Sequence, residues 1–196
     1  KHIGFVMIEF QKYLEALIVV DIQNDFCPGG ALAVEKGDEI IPAINRLLAI
    51  DKWFRIATRD WHPKNHISFE KHGGFWPEHC VQESSGAQFH SLLDSHLFDK
   101  VISKGTEEAS EAYSGFEGTE LSAVLKTYGI SKVFVCGLAT DYCVRATAID
   151  ARKEGFEVML LGDCVQSVDI QEGDGKQALQ EMTKFGCGIL TSNKLK

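Results

Sequence analysis

Asp60, His62, His66 and His79 fall close together, in the stretches Asp60-Trp-His-Pro-Lys-Asn-His-Ile-Ser-Phe69 and Trp76-Pro-Glu-His79. One carboxylate and three imidazoles in so short a span have the donor types of a divalent metal site. Imidazole nitrogen and carboxylate oxygen suit Zn²⁺, Fe²⁺ or Mn²⁺, and ligand softness does not choose among them. The competing reading is a polar surface loop that is rich in histidine by chance. Pattern alone does not decide between the two.

A second set is more dispersed. Cys143 sits in Gly137-Leu-Ala-Thr-Asp-Tyr-Cys-Val144, where an apolar strand gives way to a helix. Its sulfur is therefore expected near the positive end of a helix dipole, a location that favours thiolate. No histidine lies near Cys143 in sequence, so a carboxylate has to serve as base. Asp21 could accept the thiol proton and Lys104 could hold positive charge beside both, giving a nucleophile, a base and a cation. Taken singly, each has a plainer explanation. A strand-helix cysteine is usually buried structure, an aspartate at a strand end is often a cap, and a lone lysine is usually solvated. Only convergence of the three argues for function.

The elements that must position these residues alternate. Short apolar runs predict strands over 16–21, 53–58, 101–104, 132–137 and 157–162. Amphipathic spacing predicts helices over 38–49, 119–128, 141–154 and 176–184, with Asp38 and Glu39 placed where negative charge suits a helix start. This alternation points to β-α-β units and an α/β three-layer sandwich: a central, mainly parallel sheet flanked by helices on both faces. Such sheets bind ligands at the carboxyl ends of their strands. Asp21, Asp60, Lys104 and Cys143 are all expected at that end, facing one crevice.

The chain has 196 residues, enough for one sizeable domain, expected over 16–196, with 1–15 as an N-terminal extension of unassigned role. Glu9 and Glu15 interrupt the apolar residues of that extension, so it lacks the continuous core of a secretory signal. A net charge of −8 with 44% hydrophobic residues favours a soluble protein with no basic surface for nucleic acid. No apolar run approaches the roughly 20 residues needed to cross a bilayer, so no membrane partner is expected. The 6 cysteines are scattered without a C-x-x-C pair, which points to a reducing cytoplasm.

The segment Val20-Asp-Ile-Gln-Asn-Asp-Phe-Cys-Pro-Gly-Gly-Ala-Leu32 resembles the opening motif of the nicotinamidases, within the isochorismatase-like cysteine hydrolases. Thr58 to Phe69 and Trp76 to Gln82 resemble that family's metal loop, and Gly137 to Val144 resembles its nucleophile motif. The resemblance runs from Ala16 almost to the C-terminus. It implies that Asp21, Lys104 and Cys143 form a catalytic triad and that Asp60, His62, His66 and His79 surround one divalent metal, zinc first, with iron or manganese as alternatives. It implies that Phe26 and Trp76 pack on a pyridine ring, with Tyr113 also in the pocket. It further implies a cis peptide before Ala139, which turns the N–H groups of Ala139 and Cys143 toward a common oxyanion site. The implied reaction converts nicotinamide, and by extension pyrazinamide, to the acid and ammonia through a thioester on Cys143, feeding NAD salvage. A homo-oligomer is left open.

Three rivals remain at this stage. Another hydrolase of the same superfamily, a ureidoacrylate amidase or an isochorismatase, would not need the Asp60/His62/His66/His79 set. A catalytically idle scaffold would not need Asp21, Lys104 and Cys143 intact. A redox-sensing protein would pair Cys143 with a resolving cysteine. One departure from the family pattern is Glu83, where relatives commonly carry glycine.

Overall fold

Alternation along β1 (Glu15–Val20) sets up the layers of the computed structural model, which describes residues 12–195. Ala16, Ile18 and Val20 point into one hydrophobic core, and Leu17 and Val19 into another. That is the two-residue period of a strand with both faces covered, which is why the run is apolar throughout. Around it lie β2 (Phe54–Asp60), β3 (Lys100–Lys104), β4 (Lys132–Leu138), β5 (Glu157–Gln166) and β6 (Gly188–Leu190). They form one sheet in the order β3-β2-β1-β4-β5-β6, and each neighbouring pair is parallel.

Helices cover both faces. α1 (Ile41–Leu48) packs Ile41, Ile44, Leu47 and Leu48 onto the core that holds Leu17 and Val19. α2 (Leu121–Thr127), α3 (Arg145–Lys153) and α4 (Asp174–Lys184) bury Leu121, Leu125, Ala148, Ala178 and Met182 in the core that holds Ile18. This is the expected three-layer α/β sandwich. Leu48 is completely buried, so Leu48→Ala is expected to cost about 2–5 kcal/mol through lost transfer energy and the cavity left behind. A thermal melt of the variant checks this.

Several boundaries differ from expectation, each for a local reason. The expected strand 53–58 runs on to Asp60, because Arg59 and Asp60 pair with Ser103 and Lys104 of β3. Asp60 is thus the last residue of a strand rather than a loop residue. The expected helix 38–49 begins as a 3-10 turn over Gly37–Ile40, and α1 proper starts with Pro42 in its first turn. The expected helix 141–154 begins only at Arg145, after a π-helical turn over Thr140–Val144. β6 was not expected at all. Of the expected extension, residues 1–11 lie outside the described residues. Tyr13 is buried against Phe54, its hydroxyl donates to Asp51 at 2.8 Å, and Glu15 opens β1.

β1 is the pivot of the sheet, with β2 on one side and β4 on the other, so the crevice lies where their carboxyl ends diverge. Gly137 makes the close approach possible there. Its φ is +113°, and a Cβ at that position would sit 2.1 Å from the Val20 carbonyl oxygen.

Candidate active site

Asp21 comes directly after β1 and turns the chain with a φ of +49°. It is fully buried, and its Oδ1 accepts the Thr58 hydroxyl of β2 at 2.6 Å. Lys104 ends β3, two strands away. Its ammonium lies 2.9 Å from Asp21 Oδ2, touches Asp60 Oδ1, and lies 3.5 Å from Cys143 Sγ. Asp21 Oδ2 meets that ammonium as a charge contact without a directed hydrogen bond, so it keeps a lone pair. Ligand atoms of Asp21, Asp60 and Cys143 all lie within 4.8 Å of one another.

The electrostatics of this knot set its resting state. Burial acts to depress Lys104, but Asp21 and Asp60 outweigh it and hold the amine firmly protonated. Burial, with the nearby Asp60 charge, raises Asp21 above the usual carboxylate range despite Lys104. Burial also pushes the Cys143 thiol well up, against the pull of Lys104. The pull toward thiolate expected from the helix terminus is outweighed here by desolvation. Cys143 rests as a thiol, with a basic carboxylate beside it.

Asp60 divides its two oxygens between two jobs. Oδ1 meets Lys104, while Oδ2 faces His62 Nε2 at 3.3 Å and His79 Nε2 at 3.8 Å. Burial alone would raise Asp60, yet Lys104 and His62 together hold it below the usual range. His62 Nδ1 lies 2.7 Å from the Gly105 carbonyl, and His79 Nδ1 lies 2.7 Å from the Pro77 carbonyl. A carbonyl can only accept, so both rings donate from Nδ1 and aim Nε2 at the carboxylate, which leaves Nε2 as the nitrogen available to a metal. The His62 ring fits only because residue 105 is glycine: a Cβ there would lie 2.4 Å from His62 Cε1, and φ is +59°. Asp60, His62 and His79 together bring three metal-type ligand atoms within 4.8 Å of one another.

His66 stands differently from its three companions. Its ring stacks on His62 at 4.1 Å, but Nδ1 bonds to the Ser68 hydroxyl at 2.7 Å and Nε2 to the Ser110 carbonyl at 3.0 Å. The structure brings the ring to the cluster without presenting a free nitrogen to it.

Phe26, Trp76 and Tyr113 line one pocket together with Cys143, Asp60, His62 and His79. The Trp76 indole N–H donates to the Tyr113 hydroxyl at 2.9 Å. Burial lifts the Tyr113 phenol to about 12, so it stays neutral. Ala139 also lines the pocket, and the Leu138–Ala139 peptide is cis. Sequence reasoning missed Tyr142, Glu111, Leu138 and Val168 in the same wall. Tyr142, whose ring lies 5.2 Å from that of Trp76, could have been found from its place immediately before Cys143. All six cysteines are free, so none forms a disulfide with Cys143.

Residues 15–194 match the model of the Isochorismatase domain. The chain belongs to that family. It is 39% identical to the nicotinamidase of Escherichia coli strain K12, over 90% of this chain and 94% of that one. The crystal structure of a pyrazinamidase of Pyrococcus horikoshii in complex with zinc has a TM-score of 0.85 and 52% identity, over 91% of this chain and 99% of that one. That of PnC1 from L. infantum in complex with nicotinate has a TM-score of 0.88 and 39% identity, over 94% and 95%.

Proposed function

We propose that this isochorismatase-family protein is a nicotinamidase, which hydrolyses nicotinamide to nicotinate and ammonia through a thioester on Cys143. One observation carries the reading: the Cys143 thiol lines one pocket with an Asp60/His62/His79 cluster of metal-ligand type, and directly behind it the buried Lys104 ammonium lies 3.5 Å from the sulfur and 2.9 Å from the buried Asp21 carboxylate. The relatives named above point to the same chemistry. A superfamily hydrolase that works without metal would have no use for two imidazoles held by backbone carbonyls with Nε2 aimed at one carboxylate.

In the first half of the reaction, Asp21 takes the Cys143 proton and the sulfur attacks the amide carbon, forming the S–C bond. Lys104, 3.5 Å from Sγ, neutralises the emerging thiolate. The backbone N–H groups of Ala139 and Cys143 serve as donors to the oxyanion, where a single donor can matter by about 10²–10³ in rate. Protonated Asp21 then gives its proton to the leaving nitrogen as the C–N bond breaks, and ammonia departs. In the second half, Asp21 takes a proton from water, whose oxygen attacks the thioester. The S–C bond breaks, the proton returns to sulfur, and nicotinate leaves.

The donor set fits a divalent ion: three ligands, two of them imidazoles oriented by backbone carbonyls, leave room for ligands that are not protein. Asp60, His62 and His79 would hold it, with zinc the first choice, while His66 stacks on His62 with both its nitrogens bonded to Ser68 and Ser110. When bound, the ion would supply Lewis-acid charge for orienting a pyridine ring. Phe26 and Trp76 offer flat faces to that ring, and Tyr113 fixes the Trp76 edge. No helix among the described residues is long and apolar enough to cross a membrane. Six free, buried cysteines suit a reducing compartment, the cytoplasm.

The test is direct. Purified protein incubated with nicotinamide is expected to release ammonia, to stop after chelation, and to recover on adding back zinc. His62→Ala is expected to purify without stoichiometric metal and without activity. Fully metal-loaded protein that releases no ammonia would overturn the reading, and undiminished metal in His62→Ala would overturn the ligand set.

A further inference from the structure

Gln23 and Asp25 are polar, mostly or wholly covered, and unused by the chemistry above. Gln23 is fully buried. Its side-chain amide grips both ends of one residue: Oε1 accepts the Asp60 N–H at 2.8 Å, and Nε2 donates to the Asp60 carbonyl at 2.8 Å. The same Nε2 donates to the Ala87 carbonyl at 2.8 Å. All the strong hydrogen-bonding capacity of the amide but one acceptor site is thus spent, and its main object is the backbone of a single residue. Two positions later, Asp25 Oδ2 accepts the Cys80 N–H at 2.7 Å, and Oδ1 accepts the Ala31 N–H at 3.2 Å. Cys80 is the residue directly after His79 and has a φ of +47°, so this bond fixes the chain where it leaves that imidazole.

The same short segment begins with the proposed base. The Gln23 N–H donates to the Asp21 carbonyl at 2.8 Å. Residues 24 and 25 are in turn fastened to the loop that follows the histidines, through Asn24 N–H to Gln88 carbonyl at 2.9 Å and Asp25 N–H to Gly86 carbonyl at 3.0 Å. One pentapeptide, Asp21 to Asp25, therefore touches the proton acceptor and both chain segments that carry Asp60 and His79.

We infer that Gln23 and Asp25 are positioning residues for the ion: Gln23 sets the Asp60 carboxylate and Asp25 sets the His79 imidazole, so that metal donors and base are referenced to one template. The inference rests on the metal reading given above. A carboxylate on the end of β2 has a fixed backbone but a rotating side chain, and its placement against two imidazoles depends on where its Cα is pinned. Gln23 pins it from both peptide flanks. Removing the amide takes away the bonds it makes to one buried N–H and two carbonyls, those of Asp60 and Ala87.

The experiment is chelator competition for Zn²⁺ on demetallated, refilled protein, alongside thermal melts. Gln23→Ala and Asp25→Ala are each expected to weaken zinc affinity about 10–100-fold, the range found for groups that orient metal ligands. Asp25→Asn keeps an acceptor for the Cys80 N–H and is expected to restore most of the loss. Leu48→Ala, destabilised in the core away from the ion, controls for fold and is expected to bind zinc within about twofold of the wild type. If Gln23→Ala does not yield folded protein, the contrast between Asp25→Ala and Asp25→Asn carries the test alone. Wild-type zinc affinity in the alanine variants, or an equal loss in Leu48→Ala or Asp25→Asn, would overturn the inference while leaving the metal site intact. A wild-type protein that takes up no zinc would overturn the metal reading itself.

Discussion

Cys143→Ala is expected to lower nicotinamide turnover by on the order of 10⁴-fold or more, since removal of a covalent nucleophile leaves only binding and oxyanion stabilisation. Its zinc content should not change. The sulfur is not among the Asp60, His62 and His79 donors, and Ala fits the space of the smaller half of the side chain it replaces. Ammonia release and metal content, measured on the same preparation, separate loss of chemistry from loss of structure. Cys143→Ser should fare little better. The thiol is already pushed well above its ordinary range by burial, and a hydroxyl is a far weaker acid that Asp21 cannot deprotonate. Substantial turnover in either variant would remove the thioester from the mechanism.

Lys104→Met should be the most destabilising single change at the site. Lys104 is 1% exposed and is the cation shared by Asp21 and Asp60, so its loss leaves two buried carboxylates facing each other. Breaking a buried pair in this way costs about 3–5 kcal/mol. For a chain of this size that corresponds to a fall in Tm of roughly 6–20 °C. Adding Asp21→Asn removes one of the stranded charges, so the double variant should melt above Lys104→Met alone while staying inactive. A Lys104→Met protein that melts with the wild type would mean that the ion triad contributes nothing to holding β2 and β3 to the centre.

Much of this was legible in the chain because the relevant signals are one-dimensional. Continuous apolar runs mark β1, β4 and the first half of β5, where both faces are buried. The polar ends of strands are harder. Arg59 and Asp60 carry no apolar signature, yet pairing with β3 keeps them in the sheet. β6 is three residues long with Ile189 exposed, too short and too wet to announce itself. The glycine expected after Gln82 is explained by geometry: Glu83 has a φ of +66°, a conformation that glycine adopts without steric cost. His66 could be assigned to the cluster by type but not by nitrogen, because its partners Ser68 and Ser110 are revealed only by folding. Gln23 and Asp25 were invisible for a similar reason. They act on backbone amides, which every sequence has.

Strand order also dictates a timetable. The base, the ammonium and the imidazoles all precede residue 132 in the chain, while the sulfur follows a strand that must zip onto β1, with Val20 opposite Gly137. As the polypeptide leaves the ribosome, the base, the ammonium and the imidazoles emerge before the nucleophile. Pairing between such remote partners is slow to nucleate, and the centre cannot exist in a product of synthesis that ends before β4 and Cys143. Amide-cleaving power arrives late, and chains that stop short of Cys143 carry no nucleophile.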